Sequence, residues 1–443
     1  MLGSAIGDAL GAPFEFGPAS QFTKRFPQSQ FGAHTEMIGG GGHQWSAGEF
    51  TDDTQMAIIL GESLLDHDGF NGTDIFRRFQ TWAKTASDVG IQTREILNAG
   101  DWQNSARIHF ERTGRSAGNG SLMRATTSAL FAAGGTLDES FELAHAQSAL
   151  THGDPAAGWG AAIYHGMIHA AVRGESPLDV LPALLERLPS PHAERYRAML
   201  ISDVALSDEP GNGTVWTCLA QAVRVLRSTS SFEEAMRLAC DVGDDVDTVA
   251  CVTGGLAGAT YGVQNIPSRW MTYVHGTVED ETRRSSDLQT LALRLTGKTA
   301  PTIAANIAKR GPTEIRPGVW AANILGALDA PSDTAVLSLC RVGDQFHNRP
   351  NRREFFLIDQ DDSNPGIESV VRDAVAEINA FIKQGIEVVV HCHAGESRTA
   401  LILRAWLMQR EELTTTEATE QLKSAWPFVK HHNGDFERLL SRL

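Results

Sequence analysis

FTDDTQM (50–56) follows the glycine run Gly39 to Gly42, and VGDDVDT (242–248) repeats its character far along the chain. Each segment leaves a Gly-rich loop, presents clustered acids and threonines, and then runs into apolar residues at helical spacing. One such cluster has a plain reading, since Asp and Thr cap helices and suit the positive end of the helix dipole. Two of them call for more. Together they offer Thr51, Asp52, Asp53, Asp245, Asp247 and Thr248, all hard oxygen donors, without the Cys or His that zinc prefers. Carboxylates gathered at one point repel unless cations sit between them. The reading is therefore two Mg²⁺ or Mn²⁺ ions sharing these carboxylates, within a stretch, residues 1 to about 298, that reads as mostly helical.

The surrounding chain fits a helical unit. Apolar residues recur at helical spacing in 54–66, 121–133, 156–173, 215–227 and 248–261. Loops rich in Gly, Asp and Asn are expected at 39–49, 113–120, 150–155, 208–214 and 241–247. Residues 280–297, with acids first and Arg later, read as a closing helix. After residue 298 the character changes. Short β-like runs are expected at Val319–Trp320, Thr334–Leu339, Glu354–Ile358 and Glu387–Val390, interleaved with helices at 366–384, 399–410 and 415–425. Strands alternating with helices make a small α/β unit. The expected division is 1–298, a boundary at 299–317, and 318–443.

Composition narrows the function. The chain's 443 residues exceed one ordinary core. Its formal net charge of −16 argues against nonspecific binding to nucleic acid or to an anionic membrane. Five scattered cysteines suggest no disulfide framework and point to a reducing compartment, the cytoplasm. The first residues have no positive n-region and are not expected to be a signal peptide. No apolar run reaches the roughly eighteen residues that a membrane span requires.

Ordered motifs then make a specific likeness. GSAIGDALGAPFEF (3–16), GGGGHQWSAGEFTDDTQM (39–56), GNGSLMR (118–124), THGDP (151–155) and GDDVDT (243–248) resemble the ADP-ribosylglycohydrolase family, especially its bacterial dinitrogenase-reductase-activating branch. The resemblance implies an all-α fold around a dinuclear metal centre. It implies that Thr51, Asp52, Asp53, Asp245, Asp247 and Thr248 bind the metals, and that Glu15 lies beside them as a catalytic acid. It assigns Ser116, Gly118, Asn119, Gly120 and His152 to the ADP-ribose pocket. The physics is compatible: small residues before a helix, Ser116 to Ser121, leave backbone N–H groups for a diphosphate. Glu15 or Asp53 is then the candidate to handle the proton. Taken alone, Gly118 to Gly120 is a loop, His152 a capping or core histidine, and Glu15 a surface acid. Many relatives have Gly where this chain has Asp244, which puts an extra charge near the centre.

The expected reaction is hydrolysis of ADP-ribose from an ADP-ribosylated protein side chain, with arginine preferred. Alternatives are O-linked ADP-ribose, a free ADP-ribose derivative, or a binding or immunity protein that counters an ADP-ribosylating toxin. The complete acidic set favours catalysis.

A second motif lies near the C-terminus. In EVVVHCHAGESRT (387–399) a cysteine ends a β-run, a loop with Gly395 follows, and a helix begins. Cys-x5-Arg spacing alone is weak: Cys218 to Arg224 has it inside an apparent helix and reads as packing. At Cys392 the context is right, because loop N–H groups and a helix start lower a thiol pKa and cradle phosphate oxygens. Arg398 can grip two oxygens and Thr399 can donate to the thiolate. The segment resembles the dual-specificity protein phosphatases over roughly 300–443. That resemblance implies a Cys392 nucleophile, a phosphorylated substrate and an upstream Asp as general acid. Asp359, in FLIDQDDSN (356–364), has the family spacing to Asn364; Asp361 and Asp362 are its rivals. His391 precedes the cysteine and is expected to tune the loop. His393 and Glu396 add a negative charge at the phosphate mouth.

Overall fold

A computed structural model describes residues 1–29, 36–115, 117–201, 211–299, 307–343 and 345–443. Ser116 lies outside the described residues, as do most of the 208–214 loop's first half and part of the 299–317 boundary. The chain forms two compact units. The first holds Met1–Gln28, Met37–Tyr261 and Tyr273–Ala300; the second holds Ser29–Glu36, Gly262–Thr272 and Pro301–Leu443. The segment 262–272 thus packs with the C-terminal unit although sequence continuity joins it to the first. Among the described residues no helix is long and apolar enough to cross a membrane.

The first unit is helical around one close crossing. Helices Leu2–Gly11 and Val246–Tyr261 are both buried over most of their length. Gly3, Gly7 and Gly11 recur every four residues, one above another on a helix face. A methyl group on any of them would collide with the backbone of Gly254, Ala250 or Asp247 respectively. The glycines let the two backbones touch, and this contact carries the first acids of the chain to the second acidic turn. Helix Asp52–His67 brings the other acidic turn, with Thr51 as its N-cap.

The expected helix 121–133 is two, Gly120–Met123 and Ala125–Ala132, joined at Arg124. Arg124 sits at the joint (φ −88°, ψ −3°), and its guanidinium is held by Gln147 through Oε1 at 3.0 Å and the carbonyl at 2.6 Å. The closing helix also starts later than its acids suggest. Strand β1 (His275–Val278) pairs antiparallel with β2 (Glu281–Arg284), and the helix begins at Ser285. Glu279 and Asp280 adopt φ of 49° and 70°, the two positive values that a tight hairpin turn requires. Acids taken for a helix start therefore make a turn.

The second unit is a five-stranded sheet in the order β3-β4-β7-β5-β6. The strands are β3 (Thr313–Arg316), β4 (Val319–Asn323), β5 (Ala335–Ser338), β6 (Arg352–Glu354) and β7 (Val388–Cys392). Only the β3–β4 pair is antiparallel. Strand β7 lies in the middle and is buried throughout, as an unbroken apolar run in a parallel sheet should be. Helices Ile367–Lys383, Ser397–Glu411 and Thr415–Ala425 match the expected spans closely. The expected strand 354–358 is displaced to Arg352–Glu354. Beyond it Asn364 captures the chain as a loop, accepting from Ile358 N at 2.8 Å and donating to Ile358 O at 2.7 Å. Strand β3 and the helix Gly434–Leu440 have no counterpart in the sequence reading.

Candidate active sites

In the first unit the two acidic turns meet. One oxygen each of Asp8, Asp53 and Asp247 lie within 4.8 Å of one another, and so do one each of Glu15, Asp245 and Asp247. Thr51 and Thr248 join from either turn, each hydroxyl 3.4 Å from Asp53 Oδ2. Asp52 is buried beside them. Five of the six expected ligands thus come together, while Asp52 joins none of these carboxylate groups. Burial raises Asp52, Asp53 and Asp247 well above the usual carboxylate range, and mutual repulsion with neighbouring acids adds to it. Asp53 Oδ1 and Asp247 Oδ1 are buried with no hydrogen-bond partner. Unpaired buried carboxylate oxygens on residues of one acidic cluster are what hard divalent cations satisfy, so the donor set fits them.

Asp8 was missed by sequence reasoning. Its carboxylate accepts from Thr51 N at 3.0 Å, from Thr54 N at 3.1 Å and from Thr54 Oγ1 at 2.6 Å. It therefore fixes the start of helix Asp52–His67. Burial lifts its pKa to about 6 against the pull of those donors. The available signal was a charged residue inside an otherwise uncharged helix. His43 and Asp88 were missed as well. They form a further group with Glu15, one ligand atom from each within 4.8 Å. Glu15 is raised to about 8, first by burial and then by Asp88, Asp245 and Asp8. It keeps a proton at neutral pH when nothing neutralises its neighbours.

The loop assigned to ADP-ribose sits against this centre. Asn119 donates from Nδ2 to Asp245 Oδ2 at 2.7 Å, and Asn212 Oδ1 accepts from Asp245 N at 2.9 Å. His152 is buried over the loop; a Cβ on Gly120 would come within 3.1 Å of its ring and one on Gly118 within 3.3 Å. Burial, helped by Arg124 and His109, holds His152 near a pKa of about 3, so it is neutral. One expectation needs correction: the Asn119 N–H donates to Gly213 O at 3.2 Å and is not free for a diphosphate. Asp244 has φ 55°, the left-handed region that glycine occupies without strain. Its carboxylate accepts from Asn212 N at 3.0 Å, tying down the loop beside the acidic turn.

In the second unit Cys392 ends the central strand, in register with Asn323 of β4. Residues 393–396 loop to the helix Ser397–Glu411, with Gly395 at φ 72°. Arg398 returns to the strand ends through Nη1, 3.3 Å from both Leu339 O and Leu357 O. Its Nε stands 3.8 Å from Asp359 Oδ2 and, like the buried Thr399 Oγ1, has no hydrogen-bond partner. His391 is buried, bonded through Nε2 to Ser338 Oγ at 2.8 Å, and pushed to a pKa of about 3, chiefly by burial.

The three rival acids separate by geometry. Asp361 Oδ1 accepts from Gly434 N at 2.6 Å and so caps the last helix. The Asp362 side chain is 93% exposed. Asp359 alone faces Arg398. The expected negative charge of Glu396 at the mouth is also corrected: Arg310 pairs with it at 2.6 Å and Lys430 at 2.7 Å. Cys218 lies buried inside helix Val215–Ser228, and burial raises it and Cys251 well above the usual thiol value; Cys340 is pushed to about 12. A recess of about 850 Å³ in this unit, between helices Ile367–Lys383 and Ser397–Glu411, includes no residue of the cysteine loop.

Comparison with known proteins finds a family for each unit. The ADP-ribosylglycohydrolase family model matches residues 1–304, and the dual specificity phosphatase catalytic domain matches 332–441. The ADP-ribosyl-[dinitrogen reductase] glycohydrolase of Rhodospirillum rubrum is 31% identical over 65% of this chain and 92% of its own length. The ADP-ribosylarginine hydrolase Tri1 of Pseudomonas putida is 29% identical over 62% of this chain and 72% of its own. A solved ADP-ribosylglycohydrolase-related protein complex superposes with a TM-score of 0.52 at 31% identity, over 68% of this chain and 96% of that one. With its acidic turns joined across the glycine-lined helix crossing, the chain belongs to the ADP-ribosylglycohydrolase family of hydrolases and carries a dual-specificity phosphatase domain behind it.

Proposed function

We propose that the helical unit hydrolyses the N-glycosidic bond between ADP-ribose and a modified protein side chain, arginine in the first instance. The observation that carries the reading is the cluster of buried carboxylates with unpaired oxygens on Asp53 and Asp247. Thr51, Asp52, Asp53, Asp245, Asp247 and Thr248 would hold two Mg²⁺ or Mn²⁺ ions. Bound, the cations supply concentrated positive charge for the ribose hydroxyls and for water. The chain's own residues do the rest. Gly118, Asn119, Gly120 and neutral His152 shape the ADP-ribose pocket, and Asn119 aligns Asp245. In the reaction the C1″–N bond breaks and a water oxygen bonds to C1″. Neighbouring carboxylates stabilise the positive charge that develops on the ribose, and Glu15 or Asp53 takes the water's proton. That carboxyl group then passes the proton to the departing guanidine. The arginine preference is supported by the likeness to an ADP-ribosylarginine hydrolase.

For the C-terminal unit, divided from the first at 299–317, the reading is a cysteine-dependent phosphatase. Cys392 Sγ attacks phosphorus, the ester P–O bond breaks, and the leaving oxygen takes the Asp359 proton. Water then cleaves the S–P bond, returns a proton to Asp359 and releases inorganic phosphate. Arg398 grips two phosphate oxygens and Thr399 Oγ1 donates to the thiolate. Free cysteines throughout the chain accord with a reducing, cytoplasmic setting.

The test is release of ADP-ribose from an ADP-ribosylarginine protein, titrated with Mg²⁺ or Mn²⁺. Release that rises with metal and stops with EDTA supports the reading. Release only from serine-linked ADP-ribose would move the substrate, and no release with either would overturn it.

A further inference from the structure

The loop 426–433 reaches the cysteine site at several points. The Trp426 indole N–H donates to Gly395 O at 2.7 Å, inside the phosphate loop. Trp426 is fully buried and meets the ring of Phe428 edge-on, centroids 4.8 Å apart. Phe428 itself is 37% exposed. Arg310 lies over that ring at 4.5 Å, and its Nη1 donates to Ala394 O at 3.1 Å and to Glu396. Lys430, its side chain 59% exposed, completes the Glu396 pair. His432 adds a contact at 3.2 Å to Asp359.

An exposed aromatic ring is thus fixed to a phosphate-binding loop through a buried tryptophan and a stacked guanidinium. The charges beside it leave a surplus. Arg310 and Lys430 share a single carboxylate, so the rim carries one more positive charge than negative, in a chain whose net charge is −16. Glu396, although partial burial pushes it up, is pulled below the usual carboxylate value by Lys430 and Arg310, so it stays ionised and keeps both cations in place. Five guanidinium and three ammonium N–H donors exceed what one carboxylate accepts. A flat ring next to surplus cations suits a ligand with a π-face and a second anionic group.

We propose that Phe428, Arg310 and Lys430 form a nucleotide-recognition rim, so that the phosphomonoester taken by Cys392 is carried on a nucleotide. The base stacks on Phe428, and a second phosphoryl group lies against Arg310 and Lys430. The inference rests on the phosphatase reading of Cys392 and narrows its substrate class. Fusion to a unit of an ADP-ribose-hydrolysing family points the same way, since ADP-ribose is itself an adenine nucleotide.

The experiment uses the full chain and three probes: p-nitrophenyl phosphate, adenosine 3′,5′-bisphosphate and a phosphotyrosine peptide. The expected result is a kcat/KM for the bisphosphate at least about tenfold above that for the peptide. Phe428→Ala should lower the ratio of bisphosphate to p-nitrophenyl phosphate kcat/KM by roughly 5- to 160-fold, the range of base–aromatic stacking. Phe428→Trp should restore it, and Lys430→Ala should lower it less. A preference for the peptide, or a ratio unmoved by Phe428→Ala, overturns the rim. Should the wild type fail to turn over p-nitrophenyl phosphate, the phosphatase reading falls separately. Calorimetry on Cys392→Ser then decides the rim: binding of the bisphosphate tighter than inorganic phosphate and weakened by Phe428→Ala sustains it, and equal binding overturns it.

Discussion

The two sites are built in opposite ways. The cysteine site is local: one strand end, one short loop and one helix start bring Cys392, Arg398 and Thr399 together within a few residues of chain. The acidic site is assembled from a distance: Gly3, Gly7 and Gly11 let the helices of Asp8 and Asp247 touch, and Asp8 holds the third helix, that of Asp53, through Thr51 and Thr54. A local site needs its own loop and little else. A convergent site needs the whole core, and in bringing like charges together it creates a repulsion that bound protons or bound cations must relieve.

Separating the two chemistries is the strongest way to break this comparison. Asp53→Ala or Asp245→Ala should reduce ADP-ribose release by more than about a thousandfold while p-nitrophenyl phosphate turnover persists, and Cys392→Ser should do the reverse. Paired assays on the same preparations check it; one mutation that silences both activities would show that the sites are not independent.

The helix crossing comes next. Gly7→Leu has no room against Ala250 and should destabilise the helical unit by about 3 kcal/mol or more, read from its denaturant midpoint. The C-terminal unit, with its separate core, should keep its phosphatase turnover.

The local site predicts smaller and graded effects. Asp359→Asn should lower kcat about a hundredfold for substrates with poor leaving groups, the ordinary contribution of a general acid. Asp361→Asn should leave kcat within about twofold and cost roughly 1 kcal/mol through the weakened cap of helix Gly434–Leu440. Equal loss in both would return Asp361 to candidacy.

The pH dependence of stability sharpens the role of charge. Glu15, Asp52, Asp53 and Asp247 have raised pKa values, so the folded metal-free unit holds protons that the unfolded chain releases. Stability therefore falls as pH rises toward the folded values. His152 and His165, lowered to about 3 by burial, act in the opposite sense, but only below the unfolded value of about 6.5. Between pH 6.5 and 8 the amino terminus, lowered to about 6 mainly by burial, is the opposing group. Without metal, Tm should drop modestly across that window, and Mn²⁺ should raise Tm more at pH 8 than at pH 6.5. A metal-induced shift that shrinks with pH would count against cations among these carboxylates.

The same contrast explains what could be read in the chain. The cysteine loop and its helix were legible because every part is contiguous, and the acidic turns were legible because each carries its own helix-start pattern. Asp8 was hidden because its partners Thr51 and Thr54 are remote in sequence, and His43 and Asp88 because neither sits in a periodic segment. The hairpin turn at Glu279–Asp280 was misread because acids before an apolar run look alike whether they cap a helix or turn a strand. Strand β3 was lost because it is a short edge strand with a register shift between Glu314 and Arg316. Asn364 ended β6 early through side-chain bonds that no periodicity reveals.

Crystals of the full chain soaked in Mn²⁺, with anomalous diffraction recorded at the manganese edge, probe the convergent centre most directly. Two anomalous peaks should stand among Asp53, Asp245 and Asp247, and both should vanish in Asp53→Ala. A featureless map at saturating Mn²⁺, with those carboxylates turned apart, would contradict the proposed centre.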